Sequence, residues 1–223
     1  MRALLSVADR AGIADRAREL LDQGVEVYAT DGTRTELSEA GVEVAAASEL
    51  TDMPGLIGGQ VKTYHPQLYA GILARRHVPE DLESLAEHGI VAFDIVVVSF
   101  RPFAPQVGRR VVAIDEAVEM IDAGGLSLLG AAARNFGGVA AVCDPADYAL
   151  LIEELREHGA ISGEVRQRFA AKAFGAVAAY QGEVAAYLDH ISGTRFPEQL
   201  SLVLRKERDL PYGENPQQRG AFY

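Results

Sequence analysis

The sequence predicts an α/β protein: a mostly parallel sheet with helices on both faces, in three layers. Three observations carry this. Short β-branched runs alternate with helical patterns along the chain. The first two helical patterns are each followed by a glycine, Gly24 and Gly41, the usual stop for a helix. The run Ile95-Val96-Val97-Val98-Ser99 is almost continuously apolar, as a parallel strand covered on both faces must be.

The elements follow in order. Ala3–Val7 reads as a strand. Ile13–Gln23 reads as an amphipathic helix, with Ile13, Ala17, Leu20 and Leu21 on one face. Val25–Ala29 is a second strand, Thr33–Ala40 a second helix and Val42–Ala45 a third strand. Ile95–Ser99 is the strongest strand, and Val139–Cys143 is another. Ala146–Glu157 and Glu164–Leu188 read as helices. No repeat, low-complexity tract or clear linker interrupts the pattern. The tail Asp209–Tyr223 is rich in Pro, Gly, Asn and Gln and is predicted to lie extended on the surface.

At 223 residues the chain has the length of one domain plus a tail, divided here at 1–200 and 201–223. Apolar residues make up 48% and charged residues 24%, enough for a core without staples. Lys and Arg number 21 against 32 Asp and Glu, a balance of −11. A field of that sign argues against nucleic acid and anionic membrane as partners, while leaving room for a basic pocket that holds one phosphorylated metabolite. The single cysteine, Cys143, forbids an internal disulfide, and no zinc-type spacing occurs. Asp9 and Arg10 end the first apolar run too early for a signal peptide, and no stretch reaches the ~18 apolar residues of a membrane span. The expected location is the cytoplasm. Only Lys62, Lys172 and Lys206 are lysines, so the other 18 of the 21 basic residues are arginines.

In doubly wound sheets ligands bind at the carboxyl ends of the strands. The segments there are Ala8–Gly12, Thr30–Thr33, Phe100–Phe103 and, before a helix, Gly124–Gly125; further segments could also carry chemistry. Thr30-Asp31-Gly32-Thr33 offers hydroxyls, a glycine and helix N–H groups to an anion. It reads equally as a plain turn with Thr33 as N-cap, and the Asp31 carboxylate repels phosphate. Gly58-Gly59-Gln60-Val61-Lys62-Thr63-Tyr64-His65-Pro66 places Lys, Thr and His beside two glycines, as a site or as a solvated loop. Asp122-Ala123-Gly124-Gly125 exposes N–H groups at a helix start, where Asp122 is a base or, more plainly, a cap. Arg101 follows the most buried strand. Arg134 ends a helix, where a cation is favoured by the dipole in any case. His77, His88, His158 and His190 read as surface residues. These patterns alone reach an α/β protein that binds a small anion.

The same segments resemble a known family. Gly59-Gln60-Val61-Lys62-Thr63-Tyr64-His65-Pro66 is similar to G-R-V-K-T-L-H-P of the inosine monophosphate (IMP) cyclohydrolase domain of the bifunctional purine-biosynthesis protein. Ser6–Gly12 resembles S-V-S-D-K-T-G, and Thr30–Thr33 resembles S-G-G-T. Ser99–Phe103 resembles N-L-Y-P-F, Ile121–Gly125 resembles I-D-I-G-G, and Ala131–Asn135 resembles A-A-A-K-N. Tyr212–Gln218 resembles Y-G-E-N-P-H-Q, which leads into the family's transformylase half. The resemblance is collinear over essentially the whole chain and implies a methylglyoxal-synthase-like fold.

It also implies a hydrolase acting on a nucleotide. A carboxamide nitrogen of formyl-AICAR (the formamido-imidazole-carboxamide ribonucleotide) attacks the formyl carbon, and water leaves to give IMP. No cofactor and no metal is implied. The catalytic positions carry over to Lys62, Arg101, Asp122 and Arg134. The substrate and phosphate positions carry over to Arg10, Thr30, Asp31, Gly32, Thr33, Gln60, Val61, Thr63, Ser99, Ala123, Gly124 and Gly125. Several differ from the family pattern. Arg101 stands for Tyr, Arg134 and Arg10 for Lys, Gln60 for Arg, Ala8 for Ser, Asp31 for Gly and Ser99 for Asn. A guanidinium does not readily cycle a proton, so the changes at 101 and 134 point to an altered substrate or step. The expectation is therefore a stand-alone, divergent cyclohydrolase without formyl transfer. Its partner is a small-molecule nucleotide, with a second copy in a homodimer as an open alternative. Two other readings stay open: ring closure on a modified nucleotide in specialised metabolism, and a non-catalytic nucleotide-binding protein.

Overall fold

The computed structural model describes residues 1–53, 55–103 and 113–223. These fall into two compact units, Met1–Val177 and Ala178–Tyr223.

The first unit is built on a five-stranded, wholly parallel sheet. Its strands are β1 (Arg2–Val7), β2 (Glu26–Ala29), β3 (Ala45–Ala46), β4 (Ile95–Ser99) and β5 (Ala140–Val142), in the order β3-β2-β1-β4-β5. Leu5 pairs with Ala29, Val7 with Ser99 and Val97 with Val142. The order reverses between β1 and β4, which makes their carboxyl ends the switch point where such sheets bind ligands.

Helices cover both faces, giving the three-layer α/β fold the sequence predicts. They are α1 (Ile13–Asp22), α2 (Asp31–Glu39), α3 (Pro66–Leu73), α4 (Pro79–Glu87), α5 (Ile114–Glu119), α6 (Ala123–Arg134), α7 (Tyr148–His158) and α8 (Gly163–Ile191). Alternate strand residues feed two separate cores. Leu5, Val27 and Val97 pack with Ile13, Leu20, Leu151 and Leu155 on one side. Leu4, Val96 and Ala141 pack with Leu68, Ile72, Leu128 and Ala132 on the other. Both sides of β4 are sealed, so its apolar run does not alternate.

The differences from expectation are local. Helix α2 begins at Asp31, two residues earlier than predicted, because Thr30 and not Thr33 is the residue before its first turn. The third strand is Ala45–Ala46, shifted past Val42 and Val44, which are buried but lie outside the ladder. Helices α3 and α4, which the pattern did not single out, both open on a proline in the first turn. In the second unit the tail is not simply extended. Its strands β6 (Arg208–Leu210) and β7 (Gly220–Phe222) pair antiparallel.

Among the described residues no helix is long and apolar enough to cross a membrane.

Candidate functional site

The switch point is held together by hydroxyls. Ser99 closes β4, and its Oγ accepts the N–H groups of Ala8 and Asp9, each at 3.0 Å. Thr33 is buried, and its Oγ1 accepts the Val7 N–H at 2.9 Å. Thr30 Oγ1 donates to Ser6 Oγ at 3.2 Å. These bonds tie the loop after β1 to both the end of β4 and the start of α2. Thr30 makes no side-chain cap bond, so no side chain satisfies the first-turn N–H groups of α2 from the N-cap position. Asp31 and Gly32 are exposed there. Asp31 sits where the helix dipole favours a carboxylate, a structural reason for its presence. Arg10 lies over this turn: a Cβ added at Gly32 would stand 3.9 Å from its guanidinium. The guanidinium pairs with Glu36 of the same helix at 2.8 Å, with both side chains partly exposed. An anion at this helix start would meet the N–H groups, the dipole and Arg10 together.

The Lys62 loop is a closed ring. Leu56 and Val61 exchange backbone hydrogen bonds at 2.9 and 3.1 Å. Between them Ile57, Gly58 and Gly59 have φ of 52°, 62° and 88°. Three successive left-handed residues turn the chain back on itself, and the two glycines do so without strain. Gln60 and Lys62 are exposed, Val61 is half-buried and Thr63 is buried. The Lys62 ammonium has no ion-pair partner among the described residues.

Thr63 carries this loop onto the start of α6. A Cβ added at Gly124 would come within 3.3 Å of Thr63 Oγ1, a tight contact, so the helix start and the Thr63 side chain lie close together. Asp122 is the N-cap of α6, and its Oδ1 accepts the Gly125 N–H at 2.8 Å. The capping reading is therefore observed, and the Gly125 amide is committed to that carboxylate. Ala123 is exposed and Gly124 half-buried beside it. Lys62, Thr63, Asp122, Ala123, Gly124 and Gly125 thus form one cluster. Because α6 descends from the carboxyl side of the sheet toward the start of β5, this cluster stands on the ligand-binding side.

Arg101 is exposed two residues beyond β4, on that same side. Arg134 is not. It ends α6, about 16 Å along the axis from Ala123, next to the amino end of β5. There Asn135 Nδ2 donates to the carbonyls of Ile72 (2.7 Å) and Ala74 (3.0 Å). Leu73, Arg75, Arg134 and Asn135 line a shallow depression of about 400 Å³. Within one copy of the chain the structure does not bring Arg134 to Asp122.

Sequence reasoning passed over an aromatic pair. Tyr64 stacks on Tyr69 with centroids 6.4 Å apart and ring planes 3° from parallel. The Tyr64 hydroxyl lies 3.1 Å from Ser127 Oγ in the first turns of α6. Burial pushes the Tyr69 phenol above its ordinary pKa; Tyr64 adds to the rise and Ser127 opposes it. Its signal was an aromatic hydroxyl directly after Lys62-Thr63.

The chain is similar to known proteins along its whole length. Residues 12–127 match the model of the MGS-like domain, and residues 132–223 match that of the AICARFT/IMPCHase bienzyme. The bifunctional purine biosynthesis protein PurH of Listeria monocytogenes serotype 4b (strain F2365) is 45% identical over 222 residues. That alignment covers 100% of this chain and 44% of the relative. PurH of Lacticaseibacillus casei (strain BL23) is also 45% identical, covering 100% of this chain and 43% of the relative. The chain thus spans less than half the length of these relatives. The crystal structure of ForH superposes with a TM-score of 0.73 at 36% identity, covering 83% of this chain and 97% of that one. An MGS-like sheet of this kind, matched over residues 12–127, places the chain in the MGS-like domain family, and over its whole length it is similar to PurH.

Proposed function

We propose that the chain binds a 5′-mononucleotide and closes, or hydrolytically reopens, a purine-type ring in the manner of IMP cyclohydrolase. One observation carries the reading: the Lys62-Thr63 loop packs on the Asp122–Gly125 helix start, with Thr63 Oγ1 3.3 Å from the Cβ position of Gly124. On this reading a cation, a carboxylate and helix N–H groups act around one point.

Cyclisation of formyl-AICAR needs those groups. The carboxamide nitrogen attacks the formyl carbon while Asp122 accepts the amide proton. The oxygen that gains charge is met by the Lys62 ammonium and the Gly124 N–H. It takes back the proton held by Asp122, and with the formamido N–H proton it departs as water as the ring C=N bond forms. Gly125 holds Asp122 in place through the cap. The phosphate lies at the start of α2 among Thr30, Gly32 and Thr33, with Arg10 exchanging Glu36 for it. Ser99 orders the loop carrying Arg10, and Gln60 and Val61 shape the rim. Arg101 adds a fixed cation, suited to binding rather than to proton transfer. Arg134 takes no step from within the same copy.

A second reading, a nucleotide-binding protein without turnover, is favoured by those two arginines at proton-transfer positions. Incubation with formyl-AICAR separates the two readings, with IMP formation followed by absorbance. A rise that depends on protein concentration is the expected result. A 5′-mononucleotide that stabilises the protein without any turnover supports the second reading. Competition between formyl-AICAR and ring-modified analogues tests whether the substrate is the housekeeping nucleotide or a specialised one.

A further inference from the structure

Tyr64 stands at the edge of the cluster just described. Its ring is carried on the residue after Thr63, which itself touches the Gly124 position. The ring lies at 4.0 Å from a Cβ built at Gly124, so it borders the helix start directly. The side chain is held from two sides. Tyr69 of α3 stacks on its face, and Ser127 of α6 binds its hydroxyl at 3.1 Å. Yet Tyr64 remains 42% exposed. A large aromatic fixed by both face and tip, but open to solvent beside a lysine, has been positioned without being buried.

We propose that Tyr64 is a substrate-contacting residue, whose hydroxyl, oriented by Ser127, hydrogen-bonds the heterocycle of a mononucleotide seated against the outer side of the Lys62 loop and the start of α6. It rests on the nucleotide-binding reading above. Lys62 and Asp122 face the reacting atoms, and the Tyr64 hydroxyl fixes the ring that carries them. Ser127 is a positioning residue. Its loss leaves the phenol in place but free to rotate.

The test is calorimetric titration of wild type, Tyr64→Phe and Ser127→Ala with IMP and with formyl-AICAR, alongside steady-state kinetics and melting temperature. Phe keeps the stack on Tyr69 and removes only the hydroxyl. Tyr64→Phe is expected to weaken nucleotide binding about tenfold at unchanged melting temperature, one hydrogen bond's worth. Ser127→Ala is expected to weaken it less. Wild-type affinity in Tyr64→Phe overturns the proposal. If wild type forms no IMP but Tyr64→Phe still loses affinity, the cyclohydrolase reading fails and Tyr64 stands. If wild type turns over and Tyr64→Phe binds and turns over equally, Tyr64 falls and the cyclohydrolase reading stands. Wild type binding neither nucleotide overturns both.

Discussion

Asp122 does two things, and one substitution pair separates them. As the N-cap of α6 it accepts the Gly125 N–H at 2.8 Å. Asn caps nearly as well as Asp, whereas Ala forfeits about 1 kcal/mol. Asp122→Asn should therefore keep its stability in urea titration while IMP formation falls by about 10²–10⁴-fold, the usual contribution of a general base. Asp122→Ala should lose both. Full turnover in Asp122→Asn would leave the residue a cap alone. Thr33 is the complementary case, a site position with a structural task. Its buried Oγ1 accepts the Val7 N–H, so Thr33→Val leaves that donor unpaired and should cost about 1–3 kcal/mol in a denaturant melt. Only one of these partners could be read from spacing. Asp122-Ala123-Gly124-Gly125 announces a cap three residues from its donor, but Thr33 and Val7 are 26 residues apart and meet only once the sheet has formed.

The Lys62 loop stores strain at Ile57. This β-branched residue has φ 52° and is 72% exposed, so its side chain gains little burial in return. Replacing it with glycine relieves a cost of about 1–3 kcal/mol, against some loss through the freer unfolded chain. Ile57→Gly should raise the melting temperature, and an unchanged or lower value would mean that the ring is not strained there. The other element-level feature is a tie between α8 and the end of β5. Lys172 bridges Asp144 at 2.7 Å and Asp147 at 2.8 Å, and Asp147 is almost fully buried. The Lys172 hydrogen bond and the Ala146 N–H hold the Asp144 pKa below its ordinary value. Burial opposes the Lys172 charge, but the two carboxylates outweigh it and raise its pKa. A carboxyl with a lowered folded pKa adds stability above its unfolded value, near 4, which is lost as pH falls through the lower folded value. Lys172→Met should thus cost about 1–3 kcal/mol at pH 7 by leaving Asp147 unpaired, with the gap to wild type closing below pH ~4. A gap that does not change with pH would remove the ion pair from the account. Strand–helix alternation foretold β1, β2, β4 and β5 as short apolar runs and α1, α2, α7 and α8 by their helical spacing. Strand β3 slipped because only two residues pair, and α3 and α4, of eight and nine residues, are too short for a helical period to stand out.

At the scale of the whole molecule the net charge of −11 means that an anion at the α2 helix start relies on the helix N–H groups and on Arg10, which is paired with Glu36. A bound mononucleotide at about 100 times its dissociation constant should add ~2.7 kcal/mol to stability. The α/β architecture was legible from composition and period, whereas the assembly of the site was not. Lys62 and Asp122 are 60 positions apart, and what joins them is the fit of Thr63 against Gly124, a contact with no sequence periodicity. Arg134 illustrates the converse. It lies in a segment that resembles the family's, yet α6 carries it to the far end of the sheet. Lys62 tests the account most directly, since it is exposed, has no ion-pair partner among the described residues, and its removal should leave the fold untouched. The measurement is the rate of IMP formation from saturating formyl-AICAR by wild type and by Lys62→Ala, with IMP affinity and melting temperature measured in parallel. The account predicts IMP formation by wild type and its loss by at least about 10²-fold in Lys62→Ala at unchanged melting temperature. Equal rates in the two proteins would contradict it.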